Sequence, residues 1–177
     1  MSVRFGDLVE RARALYLEQF HDFVEKQRQS CSVGRAEVKL GGVDGAYGSA
    51  YCVDFLSNDG QLKLIEFAPD RCLSFDRIVA DYGRMTLHVD DLRWNDVVID
   101  HDLDTLPADA VATWFGRWYG PDDQETGMIH SLLIELRHIS ADLGTAPLEA
   151  LFELISLLEK AGAKSLQIRA GRASVLN

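Results

Sequence analysis

The segment LHVDDLRWNDVVIDHDLDTLPADA, residues 87–110, holds two histidines and seven aspartates. Imidazole nitrogens and carboxylate oxygens bind divalent metals, and a carboxylate beside an imidazole also supports acid–base chemistry. If the segment forms strands, alternation buries Leu87 and Val89 and turns His88 and Asp90 to the opposite face. The pattern therefore predicts either a metal site or the solvated face of a sheet.

The metal interpretation depends on a hairpin that makes His88 and Asp100 neighbours, with Asp90 and His101 completing the ligand set. Such a site would make the chain a metal-dependent hydrolase. We favour the solvated face, since carboxylates ahead of a helix are already explained by the positive end of the helix dipole. The sequence then predicts no catalytic residue and no cofactor.

Two further metal motifs match only in part. A calcium loop starting at Asp100 needs glycine at its sixth position and glutamate at its twelfth, where the chain has Thr105 and Val111. The Glu-x-x-His spacing of di-iron bundles occurs twice, at residues 18–21 and 135–138. Because those bundles need four helices and the middle of this chain is predicted as sheet, we expect solvated surfaces there.

No nucleophile stands out either. Ser49 lacks the G-x-S-x-G spacing of a nucleophile elbow, and Cys52 lies in a predicted strand. A cysteine in that position is usually a small buried apolar group. We predict that Cys52 is buried and unbridged.

A surface for a partner protein is the leading functional interpretation. Trp94 lies at the predicted tip of a hairpin, where a large aromatic either folds back or is offered to a partner. An exposed Trp94 rimmed by Asp90, Asp91 and Asp96 would anchor a basic protein. The chain would then be a non-catalytic binding protein, for example an acidic inhibitor or an immunity-type partner. A small-ligand sensor with its pocket between sheet and helices is the third hypothesis.

The composition of the chain restricts which of these functional hypotheses are plausible. The chain has 177 residues, 47% of them hydrophobic, which fits one globular domain spanning 1–177. A net charge of -10 disfavours binding to nucleic acid. Neither a signal peptide nor a membrane-spanning run is evident, and an odd set of cysteines without C-x-x-C spacing argues against disulfides and thiolate zinc sites. These features predict a cytoplasmic protein, with no indication of its oligomeric state.

The first part of the chain is predicted to form one helix and most strands of the sheet. An N-cap at Asp7 and an apolar stripe predict a helix that ends near Ser30. Alternating patterns over 47–67 and 84–101 predict two hairpins in one four-stranded antiparallel meander.

The second half of the chain predicts two helices, one starting near Pro107 and one capped at Thr145 and closed at Gly162. Residues 128–139 fit a strand or a helix, and we favour the strand. A last strand, SLQIR, would complete a C-terminal βαβ unit. The predicted class is α+β: a mainly antiparallel sheet covered by the N-terminal helix and these two later helices.

Overall fold

The computed structural model describes residues 3–41, 50–120 and 127–171. It shows three helices packed on a nine-stranded, mostly antiparallel sheet, which confirms the predicted α+β class. The helices are α1 (Val3–Ser30), α2 (Ala108–Tyr119) and α3 (Leu148–Lys160). The strands are β1 (Gly34–Leu40), β2 (Tyr51–Asn58), β3 (Leu62–Ile65), β4 (Ile78–Tyr82), β5 (Met85–Val89), β6 (Val97–His101), β7 (Ser131–Ile134), β8 (His138–Asp142) and β9 (Ser165–Ala170).

The strand order is β1-β2-β7-β8-β6-β9-β5-β4, with β3 also paired to β2. The described parts of both predicted hairpin segments lie in this one sheet, as expected; residues 47–49 lie outside the described ranges. The meander is wrong, because β7 and β8 separate β2 from β6, and β9 separates β6 from β5. Alternation shows that a segment is a strand and which faces it has, but it does not name the neighbouring strand.

The C-terminal βαβ unit is present in split form. Strands β8 and β9 flank α3 in the chain and both run antiparallel to β6, which lies between them. They are therefore parallel to each other with one strand inserted. The ambiguous segment 128–139 contains β7 and the start of β8, so the choice of strand over helix was correct.

Two predicted helix starts are wrong. Helix α1 begins at Val3, which places Asp7 within the helix and not at its cap. Helix α3 begins at Leu148 after Pro147 and has no side-chain cap. The hydroxyl of Thr145 instead accepts a hydrogen bond from the backbone nitrogen of Met128. The predicted closure of α3 at Gly162 is confirmed by its φ of 100°.

An aromatic layer connects α1 to the sheet. The Tyr16 and Phe20 rings stack at 5.7 Å, and both rings contact the edge of Phe67. Burial of each such side chain stabilises the fold by about 1.5–3 kcal/mol relative to exposure. The Phe20 ring of this layer also contacts His130, which directly precedes β7. No helix within the described ranges is long and apolar enough to cross a membrane.

Candidate functional site

His130, directly before β7, is the only histidine of the described chain that is buried between carboxylates. Its side chain is 2% exposed, and the Phe20 ring lies edge-on to it at 5.8 Å. Its backbone nitrogen donates to the Asp142 carbonyl at 2.9 Å, and its carbonyl accepts from the Cys52 nitrogen at 2.7 Å. These two bonds fix the residue between β2 and β8.

Three carboxylates surround the imidazole ring. Asp54 Oδ1 lies 2.9 Å from Nδ1, and Asp142 Oδ2 lies 3.9 Å from the same nitrogen. Glu37 Oε1 lies 3.0 Å from Nε2 on the other side of the ring. We call Glu37, Asp54, His130 and Asp142 the acid–histidine centre.

Strand register explains how two of the acids meet. Pairing passes from Ala36 opposite Phe55 to Val38 opposite Val53, so Glu37 lies opposite Asp54. Glu37 adopts a φ of 51°, a left-handed conformation that costs a non-glycine residue about 1–2 kcal/mol. The Glu37 carboxylate offsets part of this cost, because it hydrogen-bonds the His130 imidazole and accepts a hydrogen bond from the Thr145 hydroxyl. Strain of this kind concentrates at functional sites.

Gly144 closes the centre from the side of β8. A Cβ atom there would lie 2.1 Å from Cδ2 of His130, and the φ of 49° also favours glycine. The Gly144 nitrogen donates to Asp142 Oδ1 at 2.9 Å, and its carbonyl accepts from the Trp94 indole at 2.9 Å. This loop therefore orients both the imidazole and one of its carboxylates.

The centre holds more negative than positive charge. Burial lowers the pKa of His130, but the carboxylates of Asp54 and Glu37 next to its ring nitrogens and the charge of Asp142 outweigh this effect and raise the pKa to about 10. Burial raises the pKa of Asp142 to about 7. Burial, followed by the nearby Asp54, also raises the pKa of Glu66. No lysine or arginine in the described ranges forms an ion pair with these four carboxylates.

The Nδ1 atom is the most informative group of the centre. It is shielded from solvent, yet its 2.9 Å contact with Asp54 lies off the ring N–H direction and is no aligned hydrogen bond. Two ligand atoms that are each about 2.1 Å from a tetrahedral zinc ion lie about 3.4 Å apart, a separation between the 2.9 and 3.9 Å that Nδ1 keeps from the two carboxylates. One ligand atom each from Asp54, His130 and Asp142 fall within 4.8 Å of one another. The three side chains thus converge on a common point.

Glu37 supports this geometry from the Nε2 side of the His130 ring. A ligating histidine usually donates its second ring N–H to a carboxylate, which fixes the tautomer and the ring orientation. An Nε2–H donated to Glu37, 3.0 Å away, gives a deprotonated Nδ1 a free lone pair on the side of the ring where Asp54 and Asp142 lie. The arrangement can bind a divalent cation with three protein ligands and one supporting carboxylate.

The aromatic anchor predicted at Trp94 is not exposed. The side chain is buried, at 1% exposure, and its indole nitrogen bonds Gly144. The alternative that the ring folds back on the sheet is the correct one, because burial satisfies both the apolar ring and its single donor. Trp94 therefore supports the loop that follows Asp142.

The aspartates expected around Trp94 are mostly engaged within the chain. Asp90 pairs with Arg77 at 2.9 Å and accepts from the Gln167 amide, and Asp91 pairs with Arg93 at 3.2 Å. Burial raises the pKa of Asp96. Much of the local negative charge is therefore met by neighbouring arginines.

The structure does not bring together the ligand set His88, Asp90, Asp100 and His101. His88 and Asp100 both lie beside Gln167, on opposite sides of β9, which places them two strands or about 10 Å apart. The expected contact across a hairpin is wrong, because β9 lies between β5 and β6 in the sheet. Asp100 instead binds Arg169 through both oxygens, at 2.7 and 3.2 Å.

His101 lies on the other face of β6. It is 5% exposed, burial lowers its pKa, and neither ring nitrogen has a hydrogen-bond partner. The Glu-x-x-His pairs are also separate structures: Glu135 and His138 form a 2.7 Å pair between β7 and β8, and Glu18 pairs with Arg71. Among residues 3–41, 50–120 and 127–171, neither pair joins a larger ligand set.

The residues of the acid–histidine centre were missed because they are far apart in the chain. A signal was nevertheless present, since Asp54 interrupts the apolar run CVDFL and His130 interrupts MIHSLL. A lone titratable residue in a buried strand needs a partner. Cys52 is buried and unbridged, as predicted, and burial raises the pKa of its thiol. Ser49 lies outside the described residues.

No protein-family model, no curated protein and no solved structure matches this chain. Its function has to be inferred from its own side chains.

Proposed function

We propose that this protein binds one divalent transition-metal ion through Asp54, His130 and Asp142. The observation that supports the proposal best is the buried Nδ1 of His130, which lacks an aligned hydrogen bond and lies 2.9 and 3.9 Å from the two carboxylates. A buried nitrogen with no hydrogen bond costs about 1–3 kcal/mol, and the misaligned contact with Asp54 offsets only part of that cost. A metal ion at the common point would remove that cost.

The charge of the centre supports the same proposal. Asp54, Asp142 and Glu37 surround one imidazole, and Glu66 interacts with Asp54; carboxylates in such excess at a largely buried site favour uptake of protons or of a cation. The pKa of Asp142, which burial raises to about 7, shows that uptake of a proton is one way to reduce this negative charge. A divalent cation is the other solution, and it leaves the carboxylates ionised.

The donor set favours zinc or manganese. Calcium takes six to eight oxygen ligands, and magnesium keeps most of its waters, whereas a mixed set of imidazole and carboxylates suits Zn²⁺ and Mn²⁺. Three protein ligands also leave a position open for water or substrate, as in catalytic zinc sites. Metal-dependent hydrolysis at this centre is therefore the enzymatic form of the proposal.

Binding to a basic protein stays a second proposal. It is supported by the net charge of -10. The ion pairs of Asp90 and Asp91 and the burial of Trp94 weaken it, because they remove the anchor and part of the free charge. We also propose a cytoplasmic location, which the three unbridged thiols at Cys31, Cys52 and Cys72 support.

Isothermal calorimetry on chelator-treated protein tests the metal proposal. We expect Zn²⁺ or Mn²⁺ to bind one per chain with a micromolar or tighter Kd, and Ca²⁺ to bind far more weakly. His130→Gln should weaken binding by more than the roughly 10–100-fold typical of an outer-shell change. His88→Gln is the matched control and should bind as the wild type does. Equal loss in both variants, or no binding by the wild type, would refute the proposal.

A further inference from the structure

We propose that Glu66 is the entry ligand of the metal site: it takes a hydrated divalent cation from solvent and passes it to Asp54. This inference rests on the proposed metal site at Asp54, His130 and Asp142. It adds the path by which the ion reaches that site and a residue that the bound ion does not require.

Glu66 lies beside Asp54 because of the register between β2 and β3. Phe55 pairs with Ile65, so the same antiparallel register continued by one residue places Glu66 opposite Asp54. Side chains of directly opposed residues lie on one face of a sheet, with Cβ atoms about 4.5–5.5 Å apart. The two carboxylates are close enough for a side-chain hydrogen bond. Glu66 is therefore in contact with one of the metal ligands.

The Asp54 carboxylate has one oxygen on each side of this path. Oδ1 lies 2.9 Å from Nδ1 of His130. Oδ2 accepts a hydrogen bond at 2.6 Å from the backbone nitrogen of Phe67, the residue that follows Glu66. A cation held between Glu66 and Oδ2 can therefore move to Oδ1 without leaving the Asp54 carboxylate. Its charge stays compensated throughout, which matters because an unpaired charge in a buried place is strongly unfavourable.

Glu66 is exposed, whereas the ligands behind it are not. The side chains of Asp54 and His130 are only 6% and 2% exposed. Asp142 is 26% exposed, but its Oδ1 already accepts a hydrogen bond from the Gly144 nitrogen. A cation that approaches from the side of β3 therefore meets Glu66 before it meets Asp54.

A surface cavity of about 410 Å³ reaches Glu66. Its charged wall residues are three acids and two bases: Asp22, Glu66, Asp70, Lys26 and Arg71. Arg71 is itself paired with Glu18 at 3.1 Å and with Asp70 at 3.8 Å. Because carboxylates outnumber basic groups in the cavity and the chain has a net charge of -10, the cavity attracts a cation more than an anion.

Stopped-flow mixing of metal-free protein with Co²⁺ tests this inference, because the visible absorbance of bound Co²⁺ follows binding in time. Dissociation is measured separately after addition of excess chelator. A group that contacts the ion only during its passage lowers the barrier for entry and for exit equally. Glu66→Gln should therefore slow association and dissociation each by about tenfold, the low end of the rate gain from charged clefts, and change Kd less than about threefold.

Asp70→Asn is the matched control, because it removes one negative charge from the wall of the same cavity. The Asp70 side chain is 88% exposed, and salt screens exposed charges, so both rate constants should change less than about twofold. An equal slowing in Asp70→Asn and Glu66→Gln would show general charge attraction and overturn the inference.

The remaining outcomes separate this inference from the metal proposal. Failure of Co²⁺ to bind the wild type would refute the metal site itself. Stoichiometric binding with unchanged rate constants in Glu66→Gln would leave the metal site standing and show that the ion enters elsewhere, for instance beside Asp142. Faster dissociation that weakens Kd in Glu66→Gln would make Glu66 a permanent ligand, which would also overturn the inference.

Discussion

Two acidic regions of this molecule differ in what surrounds their carboxylates. The segment 87–110 has seven aspartates close together in the sequence, yet Asp90, Asp91 and Asp100 each pair with an arginine beside solvent. The acid–histidine centre draws single residues from distant segments and places them, buried or partly buried, around one imidazole. Density along the chain predicts a charged surface, whereas convergence in a buried place predicts chemistry.

Energetics explain the contrast. An exposed ion pair contributes about 0–1 kcal/mol, so the solvated region tolerates its charges at little cost. Buried charges cost several kcal/mol each unless they are paired, and one imidazole cannot pair with every carboxylate of the centre. The centre is therefore expected to respond strongly to changes in charge and shape, and the solvated face only weakly.

The largest expected effect is steric. Gly144→Ala adds a Cβ 2.1 Å from the imidazole at a residue with a φ of 49°. We expect it to lower the free energy of unfolding by about 3 kcal/mol or more, from clash plus backbone strain. Gly60→Ala is the matched control, because it also has a positive φ but meets nothing within 4 Å, and it should cost only about 1 kcal/mol. Equal losses in urea denaturation would contradict the close packing of the ring.

The next effect concerns pH. The pKa of His130 in the metal-free fold is about 10, so a metal must displace a proton at neutral pH. Apparent affinity for Zn²⁺ should therefore fall about tenfold for each unit that pH drops below 8. Calorimetry in buffers of different ionisation enthalpy should show at least one proton released per ion. Binding without proton release would place the metal elsewhere, for instance on the solvated face.

A third effect has opposite signs in the two regions. Because the folded-state pKa of Asp142 is raised to about 7, its ionised form destabilises the metal-free fold at pH 8. Asp142→Asn should raise the free energy of unfolding by about 1 kcal/mol at pH 8, a gain that shrinks as pH falls from 7 to 4. It should also abolish stabilisation by Zn²⁺. Asp100→Asn, which breaks the pair with Arg169, should instead lower stability slightly. Destabilisation by both in chemical denaturation would contradict this account.

The smallest effect is expected on the solvated face. Asp91→Asn removes a pair with Arg93 in which both side chains are at least a third exposed. The change in unfolding free energy should stay within about 0.5 kcal/mol. A loss above 2 kcal/mol in thermal or chemical denaturation would show that this region is also a tightly coupled centre.

Local patterns predicted the elements better than their arrangement. Alternation and capping signals found most strands, the end of α1 and the closure of α3 at Gly162, because those features depend on neighbouring residues. The insertion of β9 between β6 and β5 depends on how α3 returns the chain to the sheet. No hydrophobic periodicity in the sequence indicates which strands become neighbours, and His88 and Asp100 were therefore expected to meet.

The centre could be predicted only in part. Asp54 in CVDFL and His130 in MIHSLL each mark a buried charge that requires a partner. Glu37 could not be found this way, since its contact depends on the β1–β2 register and an unusual φ. Asp142 ends an ordinary alternating strand and becomes notable only because Gly144 turns the chain beside the imidazole.

The most direct test of the metal site is anomalous X-ray scattering from crystals of the protein loaded with Zn²⁺, measured on both sides of the zinc absorption edge. The account predicts one strong peak about 2.0–2.2 Å from Nδ1 of His130 and from carboxylate oxygens of Asp54 and Asp142. A peak beside His88 or Asp100, or the absence of any peak at the acid–histidine centre, would contradict it.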